Sequence, residues 1–301
     1  MNAPLGALAA IGTSVMFALS STVFTLASRR VGSMALNRVR LVMAVGWLIL
    51  AHALLRTPLP FDAGGRRWLL LGCSGILGLA LGDACLFQAF IWIGARLAML
   101  LLSTAPALAS LWAWWFLGEA LSARQWAGIL LTLGSVAWVL QEGDGRAAWV
   151  GSDRRHLFGT LCGLGAAAGQ AAGLILAKQG VTGDFPALSA TLMRMVAATL
   201  TLWLYTALRS EMRETVRTFG ADRAAWGLTV AGSFLGPFLG VTLSILSIQH
   251  IEVGIASTLM ALPPVFLLPI GYCFFHERFG WSAVLGTGLA VAGVALMFPT
   301  L

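Results

Sequence analysis

Charge is the first thing this chain lacks. Only 10% of its 301 residues are Asp, Glu, Lys or Arg, where soluble domains carry roughly 25%. With 58% hydrophobic residues and a mean hydropathy of +0.86, it has too few polar groups to cover a water-facing surface. That excludes a cytosolic enzyme, a disulfide-stapled secreted domain and a disordered chain. Cysteine is scarce too. Cys73, Cys85, Cys162 and Cys273 all fall inside apolar runs without CxxC spacing. They imply packing rather than a zinc site or a disulfide framework. The histidines His52, His156, His250 and His276 are scattered, with no HxxxH or HExxH, and neither a GxSxG elbow nor a P-loop occurs. A membrane-embedded enzyme therefore has no visible catalytic set, metal site or cofactor motif. No Lys or Arg precedes Arg29, and no clear small-residue cleavage site is present. The first apolar run reads as a retained helix.

What the chain has is apolar length. A spanning helix needs about 20 apolar residues, and ten segments qualify: 5–28, 37–55, 68–92, 97–117, 124–141, 158–178, 187–208, 224–250, 254–275 and 281–299. The expected fold class is an all-α membrane protein with the lipid bilayer as its main partner. The net charge of +7 does not point to nucleic acid, because the basic residues sit mostly at the ends of apolar runs. There Lys and Arg reach the headgroups, as Lys178 is expected to do. Trp68, Trp126, Trp226 and Trp281 each open a span, as an aromatic belt predicts. Two longer polar connections stand out, Glu142–Leu157 and Arg209–Arg223.

The first of these divides the chain near its middle and prompts a search for a repeat. Arg40 falls on Arg194 at a shift of 154. At a shift of 158, Gly78 falls on Gly236, Gly82 on Gly240, Pro106 on Pro264 and Glu119 on Glu277. Ser20 meets Gln170 at a shift of 150. The organisation expected is a first five-helix repeat at 1–141, a connection at 142–157 and a second repeat at 158–301. An odd number of spans per half makes the second half insert upside down, giving ten helices in two inverted five-helix repeats. In secondary transporters of that design the site lies near the midplane between the halves.

At these residues the chain resembles the drug/metabolite transporter superfamily, and within it the ten-helix EamA-type members. The doubled blocks PALASLWAWWFLGE (106–119) and PVFLLPIGYCFFHE (264–277) carry the resemblance, with the helix starts at Arg40 and Arg194 as weaker marks. The resemblance implies solute export or uptake across the bacterial inner membrane, usually of amino acids, related metabolites or drugs; the expectation is a secondary transporter that exports, needs no cofactor and acts as a monomer, with protons or another ion as a coupling partner. It also implies a cavity walled by the first, third, fourth, sixth, eighth and ninth helices. A lipid-carrier flippase or a facilitator of the same fold is the alternative.

Polar groups at membrane depth are costly and therefore informative. Asp83 is the only acidic residue well inside an apolar run, and its counterpart in the second half is Val241. It reads either as a cavity group serving a substrate ammonium, a proton or another coupling ion, or as a carboxyl buried between helices. Phe87, one turn on, reads as cavity wall or core. Ser14, Phe17 and Ser20 on the first helix and Gln170 on the sixth are candidate solute contacts or interhelical hydrogen bonds. Thr104 and Ser257 precede Pro106 and Pro264, and either meet solute or satisfy carbonyls freed by the prolines. The prolines are expected to kink their helices, as gate hinges or cavity shapers. Glu119 and Glu277 lie at the interface and are expected to pair with an arginine such as Arg124 or Arg278. Orientation divides the indicators. Loops after odd-numbered helices hold thirteen Lys and Arg and those after even-numbered helices six. The positive-inside rule then places both termini outside, while the family resemblance places them inside.

Overall fold

The computed structural model describes residues 2–142, 153–183, 185–263, 265–266 and 281–297, and among them every regular element is helical. The first half contains α1 (Ala3–Val31), α2 (Ser33–Leu54), α3 (Gly65–Gly75), α4 (Asp83–Leu102), α5 (Ala105–Leu117) and α6 (Ala123–Glu142). The second contains α7 (Asp153–Gly180), α8 (Ala187–Leu208), α9 (Met212–Ala221), α10 (Arg223–Ser233), α11 (Val241–His250), α12 (Val253–Met260) and α13 (Trp281–Met297). Six helical stretches are long and apolar enough to cross a membrane: Ala3–Val31, Ser33–Leu54, Gly65–Ile93, Arg154–Gly180, Ala187–Leu208 and Arg223–His250.

The repeat is written into the backbone. A wide π turn at Ile76–Gly82 joins α3 to α4, and another at Phe234–Gly240 joins α10 to α11. They are related by the same shift of 158 as the glycines. Pro237 sits inside the second and lacks a donor. The first has Leu79 there, so proline is not the common cause. A π turn adds a residue to one turn and rotates whatever follows. Asp83 and Val241 are the first residues after the two turns. The helices after them break at matching places too. Thr104 N bonds Leu101 O at 3.1 Å, and Leu262 N bonds Leu259 O at 3.3 Å, each a tightened i→i−3 closure. Pro106 therefore lies in the first turn of a new helix, α5, rather than at a kink inside one. A missing N–H costs nothing there. Pro264, Glu277 and Arg278 lie outside the described residues.

Each small-residue stripe packs on the other half. Ser74 Oγ donates to Gly173 O at 2.5 Å, and a Cβ on Gly173 would stand 3.1 Å from Gly78 Cα. A Cβ on Gly169 would stand 2.7 Å from Leu77 O. In the second half, Gly232 faces Phe24, Gly236 faces Ser20 and Gly240 faces Phe17. Without side chains, the backbones approach to distances that close helix packing in lipid requires. Along α7 the order of contacts also reverses. Gly159 meets Ile93, while Gly163, further toward the other end, meets Leu101. Contacts with α7 thus run in the opposite order on the two sides of residues 93–101.

Two connections differ from the sequence expectation. α7 begins at Asp153 rather than 158, because the polar residues Asp153–His156 extend the helix past its apolar stretch. The Arg209–Arg223 connection holds α9, whose Phe219 is buried with Ala27, Val31, Leu36 and Val39. Arg38 ties α9 to α2, donating to Thr215 Oγ1 at 2.8 Å and pairing with Glu211.

Candidate functional site

A cavity of about 250 Å³ lies between the two repeats. The first half supplies Phe17 and Ser21 from α1, Gly78 and Leu79 from the π turn, and Met99, Leu102, Ser103 and Pro106 around the α4–α5 break. The second half supplies Gln170 and Leu174 from α7, Arg194 from α8, Val241 and Ser244 from α11, and Ser257 and Met260 from α12. The expected helices are therefore represented, with α8 added. Neither α6 nor α13 contributes to this wall. They pack on each other, where Thr132 Oγ1 donates to Ala290 O at 3.4 Å.

Of the residues singled out in the sequence, Phe17, Gln170, Ser257, Pro106 and Arg194 line the cavity. Ser14 is fully buried and donates to Leu259 O at 2.5 Å, bonding α1 to α12. Ser20 donates to Phe17 O at 3.2 Å and abuts Gly236, and its neighbour Ser21 reaches the wall instead. Thr104 donates to Leu101 O at 2.6 Å, answering a carbonyl at the break.

Asp83 is not among the lining residues. Its carboxylate pairs with Arg40 Nη2, and the two side chains are only 17% and 15% exposed. Arg40 also donates Nε–H to Asn37 Oδ1 at 2.8 Å. Its guanidinium lies 5.6 Å from the centre of the Phe24 ring and 5.7 Å from that of Phe87. Phe87 thus covers an ion pair rather than walling the cavity. The helix starts expected at Arg40 and Arg194 are also corrected. Each is the eighth residue of its helix, with two turns of polar and apolar residues ahead of it.

Arg194 is what sequence reading undervalued. It is 4% exposed, and its Nε and Nη1 have no hydrogen-bond partner among the described residues. Its Nη2 lies beside Gly78, where an added Cβ would stand 3.7 Å away. The available signal was its depth in an apolar run, since an ionisable group within a span marks a site by default.

Glu119 and Lys178 form a second polar cluster at the edge of the membrane-spanning region. Glu119 Oε2 accepts from Val253 N at 2.7 Å, at the start of α12, and Oε1 lies 3.6 Å from Lys178 Nζ. The expected pairing with Arg124 is thus replaced by Lys178. Lys178 does not reach outward to headgroups, because it donates to Ile251 O at 3.0 Å and to Ile248 O. Those carbonyls end α11, where a helix leaves acceptors free. Burial pushes the Glu119 carboxyl above the usual glutamate range, against the opposing pull of the Val253 N–H and Lys178.

Among the described residues no group of three or more His, Cys, Asp or Glu could hold a metal ion. The family model of EamA-like transporters matches residues 4–141 and again 157–298. A solved crystal structure aligns with 97% of this chain and 94% of its own, at a TM-score of 0.76 and 17% identity, a likeness of fold alone. No individually curated protein matches the sequence.

Proposed function

We propose a transport mechanism for this chain, which belongs to the EamA-like transporter family of the drug/metabolite transporter superfamily and is a multi-pass integral membrane protein. It moves small organic metabolites across the bacterial inner membrane, in the export direction, by alternating access. The observation that carries this reading is a cavity walled by both repeats. A site between two repeats that rock against each other can open to one side at a time. The reading includes ten spans in two inverted halves, 1–141 and 158–301, acting as a monomer. Pro106 begins a segment that moves, and Glu119 holds its far end. Asp83 serves as the coupling group: protonating it frees Arg40 next to the π turn.

The test is flux through proteoliposomes holding the purified chain, with a library of small organic solutes and with or without a proton gradient. The expected result is saturable flux absent from empty vesicles, with a pH dependence that Asp83→Asn removes. Movement of a fluorescent lipid without solute flux would reassign the chain as a flippase of the same fold.

A further inference from the structure

The two arginines that the repeat relates do not have the same company. Arg40 meets Asp83, the residue after the first π turn. Arg194 lines the same cavity as Val241, the equivalent residue after the second π turn. Where the first half has a carboxylate after its π turn, the second half has a valine on the cavity wall. Asp83 is near enough for Arg194 to feel its charge, but it is bonded to Arg40, and Arg194 Nε and Nη1 have no hydrogen-bond partner among the described residues; one carboxylate between two buried guanidiniums leaves a net positive charge in apolar surroundings, which is costly. We propose that the anion offsetting this charge is the substrate's: the cavity recognises the carboxylate of a small organic monoanion, held by Arg194 and assisted by the Gln170 amide. This deepens the transport reading and rests on it.

The rest of the wall narrows the class. Gln170 makes no hydrogen bond among the described residues and so offers its amide to a ligand. Ser21, Ser244 and Ser257 donate their hydroxyl protons to carbonyls of their own helices, at 2.8, 2.7 and 3.1 Å. The other lining groups, such as Phe17, Met99, Leu102 and Met260, are apolar. No acidic side chain lines the cavity among the described residues, and Asp83 is already held by Arg40. A substrate ammonium would find no counter-charge. A phosphate dianion would bring one negative charge more than Arg194 balances. A monocarboxylate with an uncharged, largely apolar body matches both the charge and the surface. A cavity of about 250 Å³ lies at the small end of ligand pockets, which run from about 300 to 1,000 Å³, and suits a small ligand.

The experiment is a binding titration on the full chain purified in detergent, read by thermal shift. The probes are 3-phenylpropionate, its amide, 3-phenylpropylamine, phenylalanine and phenyl phosphate. The carboxylate is expected to stabilise the protein saturably, while the amide, the amine and the zwitterion leave it unchanged and the phosphate binds more weakly. Arg194→Gln should weaken carboxylate binding by at least about tenfold, the value of a charged hydrogen bond. Val241→Asp offers a second route if that variant fails to fold. It places an internal carboxylate on the wall of the cavity that Arg194 lines, so it should abolish carboxylate binding. Absence of an Arg194-dependent shift with the carboxylate up to about 10 mM would overturn the proposal. So would tighter binding of the amine, the zwitterion or the phosphate. Flux of some other solute in proteoliposomes without carboxylate binding would sink this inference and leave transport standing. Arg194-dependent carboxylate binding without any flux would sink transport and leave the recognition site standing.

Discussion

Gly75 leaves less room for a side chain than any other described glycine, and it faces the backbone of the cavity arginine. A Cβ built there lies 2.1 Å from Arg194 O, 2.8 Å from its carbonyl carbon and 2.9 Å from its Cα. Even a favourable carbon-to-oxygen contact needs about 3.3 Å, so Gly75→Ala forces α3 and α8 apart by on the order of 1 Å. All three atoms are main chain in a continuous helix, and no rotamer change relieves them. Overpacking of this kind costs about 1–3 kcal/mol, and rigid partners place it at the upper end. Gly72, one turn away, is the control. Its added Cβ would meet Ala197 Cβ at 3.7 Å, an ordinary contact, and alanine is favoured over glycine in a helix by about 1 kcal/mol. Detergent-purified variants heated stepwise and scored by the monodisperse peak on size exclusion give the comparison. Gly75→Ala is expected to melt several degrees below the parent, and Gly72→Ala at or above it. Equal melting of Gly75→Ala and the parent would refute the close-approach argument, as would a loss of the same size in Gly72→Ala.

The polar groups outside the spans supply two pH tests. The Glu119 carboxyl titrates above its unfolded value, so the folded state favours its protonated form. Its contribution is fully present below the ordinary glutamate range and is lost as pH rises through the raised value. The melting temperature of the parent relative to Glu119→Gln should therefore fall as pH rises above the ordinary glutamate range of about 4, and a gap independent of pH would contradict the burial argument. Asp222 behaves oppositely. The Ala225 N–H at the start of α10, and then Arg30 at 3.2 Å, hold its carboxyl below the usual range. Its contribution is present above the ordinary aspartate range, so Asp222→Ala should melt below the parent at neutral pH. That gap should close as pH falls below about 4, and a gap unchanged at acid pH would refute the assignment.

The repeat was readable because its marks are glycines and prolines, which fix backbone geometry wherever they stand. The π turn at Ile76–Gly82 was not, because no proline announces it and Leu79 is neutral to the choice. The expectation that Asp83 faces solute rested on its depth alone. Depth cannot say which face of a helix a residue occupies once a wide turn has rotated that helix. Lys178 and Arg194 were read as end groups for a related reason. A basic residue a few positions inside a span can reach the headgroups or bend inward, and the partner that decides, Glu119 or the cavity, lies far off in sequence. The same ambiguity touches the count of positive residues. Arg38, Arg40, Lys178 and Arg194 are engaged inside the protein, and so four of the nineteen basic residues report on packing rather than on the membrane surface.

The exchange of stripes between halves bears on how the molecule is made. When the ribosome has released the first half, Ser74, Gly78 and Gly82 have no helix to receive them, because their partner is α7. α1 likewise holds Phe17, Ser20 and Phe24 ready for glycines that are synthesised more than two hundred residues later. Each half is then a template for the other, and insertion into the bilayer precedes the pairing that completes the fold. Two polypeptides severed between Glu142 and Asp153 would carry all the recognition needed to find each other in one membrane. The fold is in this sense a dimer whose subunits happen to share a chain.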